Sequence, residues 1–366
     1  DWTYCQQTLP KVSRTFALNI KTLQGELHRS VLIAYLFCRT VDTVEDAAEL
    51  DSKIKIELLL EFSRLIENRG YRLNHIDSWL DDCTIVDGSS NDLDLLRNIK
   101  RAFNIFDSLR NNYQDQVIPA VSKMAKGMAH FQSRFQFEEI TPLENEEDLE
   151  EYCYFVAGVV GEMLCDLFLQ KLSTLPESNR NIMKKNAISF GLGLQMTNIS
   201  KDVMADRERG WSYIPQSLIT ANGLTVDEFH SGISVEKNLQ ILEKLLFKTN
   251  GHLHDALKFT LAIPRTELSL RLFCIWPLWM AMKTVAALHN NPALLSSNAP
   301  VKITRSQVKR ILFITPLISW SNFILKSSFD NILKEFKSHP EFDLQSLHKR
   351  LAKISLDNVS PNIQTI

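Results

Sequence analysis

The sequence predicts an all-α protein. Glycine and proline are both scarce, with 12 of each in 366 residues, and long helices need few residues that interrupt them. Apolar residues recur with the helical period along most of the chain. We find no useful run of strand alternation, no low-complexity tract and no short repeat. No linker divides the chain, so we expect one helical domain over 1–366 that ends in a polar tail from about 355.

The predicted helices follow one another at 24–47, 52–67, 93–136 (as one helix or two), 148–170, 177–206, 235–262, 264–290, 305–336 and 342–354. Turn residues separate them. The loop DGSSND precedes the third helix, and Asn145 with Asp148 suits the start of the fourth. Gly210 and Pro215, within RERGWSYIPQSL, end the fifth.

The composition limits the class of protein. With 45% hydrophobic and 23% charged residues, the chain can bury a large core. The formal net charge of −2, without a basic patch that interleaves aromatics, offers no field that would attract nucleic acid. Six cysteines without a CxxC pair indicate reduced, buried thiols in a cytosolic type of protein.

Two apolar runs, at 272–282 and 311–325, are candidates for membrane spans. Both are short of the ~20 apolar residues that a span needs, and they contain Pro277 and Pro316. We interpret both as buried helices and expect no transmembrane segment. The expected location is cytoplasmic or peripheral to a membrane. Shallow contact with a bilayer surface stays open.

The segment RTVDTVEDAAEL carries the first acidic motif. Asp42 and Asp46 are four residues apart, so a helix would place them on one face, with Glu45 at its border. Two carboxylates at this spacing suit Mg²⁺, which is often bound by one or two carboxylates together with substrate phosphates. A solvated helix end is the alternative explanation of this motif taken alone.

A second acidic motif lies in FGLGLQMTNISKDVMAD. Gln195, Asn198, Asp202 and Asp206 fall at helical spacings, so they form one polar stripe on an otherwise apolar helix. Such a stripe is expected to face a wet internal site, because buried polar groups need partners. Two helices that each carry DxxxD could hold several Mg²⁺ ions around a diphosphate and neutralise it as a leaving group. Two unrelated solvated faces remain the alternative.

Basic and hydroxyl side chains near these motifs suit phosphate oxygens. The motif SRTFAL supplies Ser13 and Arg14, Arg39 precedes the first Asp pair, Lys201 adjoins Asp202, and Arg209 follows the second pair. Ordinary surface ion pairs would also explain each of these cations taken singly.

The segment EYCYFVAGVVGEML places Tyr152 just before a run of small residues that includes Gly158 and Gly161. Glycine costs a helix about 1 kcal/mol relative to alanine, so these glycines indicate close approach of a neighbouring helix or of a ligand. Tyr152 could transfer a proton or stabilise a cation through its ring, or be an ordinary core tyrosine. Aromatic residues such as Phe16 could line a dry tunnel for a hydrocarbon.

Five motifs together resemble the squalene/phytoene synthase family, whose members couple two prenyl diphosphates head to head. They are SRTFAL, DTVED, YCYFVAGVVG, GLGLQMTNISKD and ERGWSYIP, in the family's order, and the resemblance covers about residues 10–340. The stretch LRLFCIWPLWMAMKTVAALHNNP followed by VKI (301–303) is similar to the squalene synthases rather than to the phytoene synthases.

This resemblance implies a single-domain isoprenoid synthase fold, with helices around a central apolar cavity, and an enzyme that binds two farnesyl diphosphates. It implies Mg²⁺, with Mn²⁺ as an option, on Asp42, Asp46, Asp202 and Asp206, supported by Glu45, Gln195 and Asn198. It also implies coupling to presqualene diphosphate and an NADPH-dependent reduction to squalene. Tyr152 matches a tyrosine that assists proton removal, and Tyr35 one near the reaction centre.

The resemblance further assigns binding roles. Substrate would be bound by Ser13, Arg14, Phe16, Arg39, Gln195, Asn198, Lys201 and Arg209, and NADPH by Lys302 and Arg305. No dinucleotide motif such as GxGxxG is present, so NADPH rests on the resemblance alone. Lys201 stands where many relatives have arginine. Lysine keeps the positive charge but cannot bind phosphate in the bidentate geometry of arginine. A monomer is expected, and peripheral membrane contact for product release is a further option.

Three alternatives remain open from the sequence. The nearest is a dehydrosqualene or phytoene-type synthase, or a presqualene diphosphate synthase, which omits the reduction. A non-catalytic helical scaffold would be expected to lose its carboxylates, but both Asp pairs are present. A class I terpene cyclase also uses acidic metal motifs but lacks the YCYFVAGVVG motif.

Overall fold

The structure is a computed structural model, and it describes residues 1–134, 141–208, 211–295, 301–336 and 339–356. Within these ranges the regular secondary structure is helical, and an isolated β-bridge joins Pro142 and Ser212. The predicted all-α class is therefore confirmed. Most of the polar tail predicted from about 355 lies outside the described residues.

The chain divides into two compact units. One comprises 1–137, 162–173 and 353–366, and the other comprises 138–161 and 174–352. We call them the first and second unit and describe each by itself. The single domain expected from the sequence stays a prediction.

Helices α1 to α8 belong to the first unit. Their bounds are Trp2–Val12 (α1), Arg14–Ile20 (α2), Gly25–Glu45 (α3), Ser52–Glu67 (α4), Arg69–Asp82 (α5), Ser90–Arg97 (α6), Ile99–Phe106 (α7) and Asn111–Gln132 (α8), and a short 3₁₀ turn spans Cys83–Ile85.

The core of the first unit forms around α3. The apolar run VLIAYLFC is buried almost all round, as expected for a helix surrounded by others. The ring of Phe37 lies 4.6 Å from that of Phe103, 5.4 Å from Phe106 and 6.2 Å from Phe62, between ring centroids. These aromatic contacts hold α3 in place, and its C-terminal turn carries the first acidic motif.

The prediction of one or two long helices over 93–136 was wrong. The structure has three shorter helices there, α6, α7 and α8. Asn98 leaves the helical conformation, with φ −108° and ψ 16°, and its side-chain amide donates to the Asp94 carbonyl at 2.9 Å. An asparagine that bonds to the backbone in this way competes with helix continuation, and the periodicity alone did not reveal it.

The second unit contains helices α9 and α11 to α18. Their bounds are Glu146–Cys153 (α9), Glu177–Glu208 (α11), Gln216–Thr220 (α12), Val226–Ser231 (α13), Val235–Ala262 (α14), Leu268–Leu288 (α15), Arg305–Ile318 (α16), Asn322–Ile332 (α17) and Leu344–Leu351 (α18). A π-helical turn, Tyr154–Gly158, leads from α9 into α10, Val159–Lys171, and a 3₁₀ turn spans Pro292–Leu295.

Glycines bring two helical segments of the second unit into backbone contact. A Cβ added to Gly161 would lie 2.2 Å from the Ala187 carbonyl oxygen, and one added to Gly191 would lie 2.2 Å from that of Ala157. No side chain fits at either position. The close approach expected from the glycines is therefore that of a neighbouring helix, α11.

The predicted single helix over 305–336 is interrupted in the structure. Helix α16 ends at Ile318, and α17 begins after Ser321, whose hydroxyl accepts from the Ile324 amide at 3.3 Å. A serine N-cap favours a new helix start, so the segment becomes two helices joined by a tight turn.

Two helical stretches are long and apolar enough for a membrane span by length and composition, Glu146–Lys171 and Leu268–Leu288. Within the best window of each, 67% and 78% of the residues are buried in the protein. Core helices pass the same test, so this is weak evidence for a span. The 272–282 run is a buried helix, as predicted. The prediction of a buried helix over 311–325 was wrong: that run is divided between α16 and α17, and Phe313, Leu317 and Phe323 are exposed, because only one face of each helix packs on the unit.

Candidate active site

The first acidic motif lies at the C-terminal end of α3. Asp42 is half-buried, Glu45 is buried and Asp46, the C-cap residue, is exposed. The helical spacing predicted for these residues is therefore present, and the motif is only partly a solvated helix end.

Burial and mutual repulsion raise the pKa values of Asp42 and Glu45 above their ordinary range. Burial, followed by repulsion from Asp46, raises the pKa of Asp42 from 3.8 to about 7. Burial, then Asp46 and Asp42, raises the pKa of Glu45 well above its usual range, which Lys55 partly offsets. An added cation would remove the repulsion, so the group has the electrostatics of a metal site.

Glu45 supplies a second observation of the same kind. Its Oε1 is buried, with no hydrogen-bond partner among the described residues. The nearby Lys55 ammonium instead donates to the Glu45 backbone carbonyl at 2.9 Å. A buried carboxylate oxygen without a partner is costly, and a divalent cation would satisfy it.

Arg39 forms a bidentate ion pair that the sequence did not reveal. Its Nε and Nη2 each donate to a carboxylate oxygen of Asp92 at 2.8 Å, and Asp92 also accepts from the Ser89 hydroxyl at 2.6 Å. The hydrogen bond to Asp92 raises the pKa of Arg39. Although burial opposes it, the bonds from Arg39 and Ser89 lower the pKa of Asp92. The guanidinium fork of Arg39 is thus already occupied by a carboxylate.

Three further predicted residues come together on α2 and α3. The rings of Phe16 and Tyr35 lie 5.4 Å apart between centroids, and the Ser13 side chain lies close enough to Tyr35 to lower the pKa of its hydroxyl against the effect of burial. Ser13 also caps α2 by accepting from the Phe16 amide at 3.2 Å. Burial raises the pKa of Tyr35 to about 12, so its hydroxyl stays protonated. Arg14, at the first position of α2, is exposed.

The second acidic motif forms the predicted stripe on α11. Gln195, Asp202 and Asp206 are half-buried and Asn198 is exposed. The residues between them, among them Met196, Thr197, Ile199, Ser200 and Val203, are buried. The stripe is therefore a polar face on a helix whose other sides are packed.

Lys201 pairs with its own stripe. Its Nζ lies 3.1 Å from Asp202 Oδ2 and 3.4 Å from Asn198 Oδ1. It therefore offsets the negative charge of this motif. The first motif has no cation directly before its first aspartate.

Tyr152 lies against aromatic residues that the sequence did not single out. It is buried and stacks on Tyr213, with the ring centroids 4.7 Å apart, and Trp211 lies 6.5 Å beyond. Trp211, Tyr213 and Asp206 line one small pocket. The residues Trp211 and Tyr213 of ERGWSYIP thus link Tyr152 to the second acidic motif. The presence of ERGWSYIP in the sequence was the signal that could have pointed to these two residues.

His230 on α13 lines the same small pocket. Both of its ring nitrogens are buried without a hydrogen-bond partner among the described residues, and burial lowers its pKa to about 4. No sequence signal pointed to it.

The remaining predicted residues lie elsewhere. Arg209 is outside the described residues. Lys302 and Arg305 are exposed at the start of α16, where the side chains of Thr304 and Gln307 form a capping box.

No group of three or more His, Cys, Asp or Glu side chains forms a ready metal site in the part of the chain that the structure describes. Each acidic motif thus offers few ligands alone. Such a donor set fits Mg²⁺, which keeps several waters and commonly takes one or two carboxylates with substrate phosphates.

A cavity of about 640 Å³ in the second unit is lined by residues of α9, α14 and the 340–350 segment. None of the predicted site residues is among its lining residues. This cavity therefore does not coincide with the predicted chemistry.

Comparison with known proteins gives the family. The model of the squalene/phytoene synthase family matches residues 9–307. A squalene synthase of Candida albicans is 31% identical over 312 residues, which cover 84% of this chain and 66% of the relative. Squalene synthases of Mus musculus and Arabidopsis thaliana are 29% and 28% identical and are covered over 68% and 70% of their length. The chain thus spans about two-thirds of these curated relatives.

Solved structures give the same fold. One described as "The complex structure of TcSQS with ligand, BPH1237" has a TM-score of 0.74 at 24% identity and covers 98% of this chain and 97% of its own. A dehydrosqualene synthase solved with a ligand has a TM-score of 0.58 at 20% identity, over 90% and 96% of the two chains. The predicted isoprenoid synthase fold and the predicted family are confirmed. The chain belongs to the squalene/phytoene synthase family.

Proposed function

We propose that the chain is a squalene synthase, which couples two farnesyl diphosphates to presqualene diphosphate and reduces this intermediate to squalene. Relatives named squalene synthase, from fungi, mammals and plants, match most of the chain at about 30% identity. We further propose that it acts as a monomer, in the cytoplasm or at the periphery of a membrane.

The observation that carries the chemistry is the acidic end of α3. Asp42 has a pKa raised to about 7 by burial and by Asp46, and Glu45 has a buried oxygen without a partner in the described structure. Such an arrangement is costly without a cation, and it supports a site built for one.

Asp42 and Asp46 on α3, and Asp202 and Asp206 on α11, would hold Mg²⁺ or Mn²⁺. Bound there, the metal supplies Lewis-acid neutralisation of the diphosphate as its C–O bond breaks. Glu45, Gln195 and Asn198 would orient these ligands or the water around them, as outer groups commonly do.

Cationic side chains would hold the diphosphate oxygens. Arg14 is exposed and Lys201 lies within reach of the acidic stripe; Arg209 is proposed from its motif alone. Arg39 already makes a bidentate ion pair with Asp92, so we do not assign it bidentate phosphate binding. We propose instead that its positive charge acts on the site from a distance and that its ion pair positions α3.

Tyr152 is proposed to assist proton removal. The double bond of the second farnesyl group attacks the allylic cation of the first, and loss of a proton closes the cyclopropane of presqualene diphosphate. The Tyr152 hydroxyl would receive or relay that proton in a site kept dry by Tyr213 and Trp211. Tyr35, packed on Phe16, would face the hydrocarbon as a neutral phenol.

NADPH would supply the hydride of the reductive step. Lys302 and Arg305 are both exposed cations beside the N-terminus of α16. This donor set fits the phosphate groups of a dinucleotide, and these residues would bind them.

Product analysis tests the function. Purified protein is incubated with farnesyl diphosphate and Mg²⁺, with and without NADPH, and the products are identified by mass spectrometry. Squalene that forms only with NADPH supports the proposal. Dehydrosqualene formed regardless of NADPH, or presqualene diphosphate as the end product, would establish the alternative synthase, and absence of any coupling would reject both.

A further inference from the structure

A cluster of exposed apolar side chains lies where α16 meets α17 in the second unit. Phe313, Leu317, Trp320, Phe323 and Ile324 are exposed by 75%, 63%, 61%, 81% and 37%. The described chain exposes thirteen large hydrophobic side chains, and these five fall within twelve consecutive positions. We call this cluster the apolar patch. Its concentration in one segment sets it apart from singly exposed apolar residues, which need no explanation.

The helical register shows that the patch is a face of its own. Ile311 and Thr315 are buried, so they pack α16 onto the unit. Lys309, Phe313 and Leu317 are exposed at four-residue intervals, which places them on the opposite face. Folding of the unit therefore does not require the outward apolar residues.

Cations border the apolar patch. Lys309 and Arg310 lie one turn before Phe313, and Lys326 follows Ile324. No ion pair involves these three cations within the described ranges. Residues 301–336 contain six Lys or Arg and two Asp or Glu, although the whole chain has a net charge of −2. Positive charge is thus concentrated around the patch.

Trp320 has the arrangement of an interfacial tryptophan. Its indole Nε1 donates to the Leu317 carbonyl at 2.7 Å, which satisfies the polar end of the ring while the ring stays exposed. Tryptophan with one apolar side and one polar end is enriched where membrane meets water.

We propose that the apolar patch docks on the surface of an anionic lipid bilayer. An apolar face flanked by Lys and Arg gains both from apolar burial at the headgroup boundary and from attraction to anionic lipids. A second copy of the chain is disfavoured, because a two-fold interface on the patch would bring Lys309 and Arg310 toward their own copies. If the proposed function holds, this surface would bring a hydrocarbon product beside a bilayer. Only this consequence, and not the docking itself, rests on the proposed function.

Vesicle cosedimentation tests the docking surface with the full chain and without any substrate. The vesicles are phosphatidylcholine alone, or an equimolar mixture of phosphatidylcholine and phosphatidylserine. We expect binding to the mixed vesicles that weakens as salt is added, and much weaker binding to the neutral ones. Removing one cation near an anionic surface lowers affinity about fivefold, so Lys309→Gln with Arg310→Gln should lower it roughly 30-fold. Phe313→Ser with Phe323→Ser should lower it at least about tenfold.

Matched controls come from the same unit. Lys184→Gln with Lys185→Gln removes an adjacent pair of exposed cations from α11, and Ile233→Ser removes an apolar side chain as exposed as Phe313, at 76%. Neither should change vesicle binding, and thermal unfolding should show all variants folded.

Equal binding of patch and control variants, or no preference for the anionic vesicles, would overturn the proposal. A concentration-dependent dimer that Phe313→Ser abolishes, without vesicle binding, would also overturn it and assign the patch to a second copy. Product formation plays no part in this readout, so its failure is separate from failure of the proposed function.

Discussion

At the scale of single residues, Asp42 is expected to make the stability of the protein depend on pH. Its pKa is raised from 3.8 to about 7 by burial and by Asp46. A raised carboxyl pKa means that the folded state binds the proton more tightly, so the ionised form costs stability. In metal-free protein this cost grows as the pH rises from 3.8 to about 7.

We therefore expect Asp42→Asn to stabilise the metal-free protein near neutral pH by on the order of 2 kcal/mol, after discounting for its partial exposure. The gain should vanish below about pH 3, where the Asp42 carboxyl is protonated in both the folded and the unfolded state. Chemical denaturation in the presence of a chelator measures the free energy of unfolding at each pH. The control Asp330→Asn changes an exposed carboxylate of α17 and should alter it by less than about 0.5 kcal/mol. A pH-independent difference between Asp42→Asn and wild type would contradict the electrostatic account.

Tyr152 tests the proposed proton transfer. Tyr152→Phe removes one hydroxyl and keeps the ring stacked on Tyr213, so the fold should persist while kcat for coupling falls by about 100-fold or more. The matched control is Tyr154→Phe, since Tyr154 is also buried, two residues on. It should keep most of the activity. If Tyr152→Phe couples farnesyl diphosphate at the wild-type rate, Tyr152 is a packing residue.

At the scale of helices, the contact of α11 with the segment at Ala157 and Gly161 depends on glycine. A Cβ at Gly191 would lie 2.2 Å from the Ala157 carbonyl oxygen, so Gly191→Ala must push the two segments apart. We expect a loss of at least about 3 kcal/mol in the free energy of unfolding, or failure to fold.

Gly70 provides the matched control for that substitution. A Cβ there would lie 3.4 Å from the nearest atom, Asn68 Oδ1, and Gly70 is in the first turn of α5. Gly70→Ala should therefore be neutral or stabilise by up to about 1 kcal/mol. Denaturant unfolding of both variants gives the comparison, and equal effects would mean that the backbone contact is not tight.

Helices with continuous periodicity were predictable, and interruptions made by single residues were not. The predicted 52–67 and 235–262 coincide with α4 and α14, because each has a strong period and a capping residue at its start. The breaks at Asn98 and Ser321 depend on side-chain to backbone bonds that periodicity does not reveal. Helix α5 was missed because its sequence is largely polar.

The candidate site shows the same division. The spacing of Asp42 with Asp46, and of Gln195 with Asp206, follows from helical geometry and was predictable. The pairing of Arg39 with Asp92 joins residues 53 positions apart in the chain, and stacking of Tyr152 on Tyr213 joins α9 to a residue that follows α11. Tyr213 itself is not helical and lies between α11 and α12. Such contacts depend on tertiary packing, which one sequence does not specify by local rules.

At the scale of the whole molecule, each acidic motif belongs to a different compact unit, Asp42 and Asp46 to the first and Asp202 and Asp206 to the second. The proposed reaction needs both motifs, because each alone offers few ligands for a cation. Their joint action on one diphosphate is the central claim.

Calorimetric titration of inorganic pyrophosphate in excess Mg²⁺ tests that claim most directly, with wild type, Asp42→Asn and Asp202→Asn. Loss of a charged contact costs about 1.5–3 kcal/mol, so each variant should bind pyrophosphate at least about tenfold more weakly than wild type. Full wild-type affinity in either variant, with its fold intact, would show that the corresponding motif does not hold the metal diphosphate.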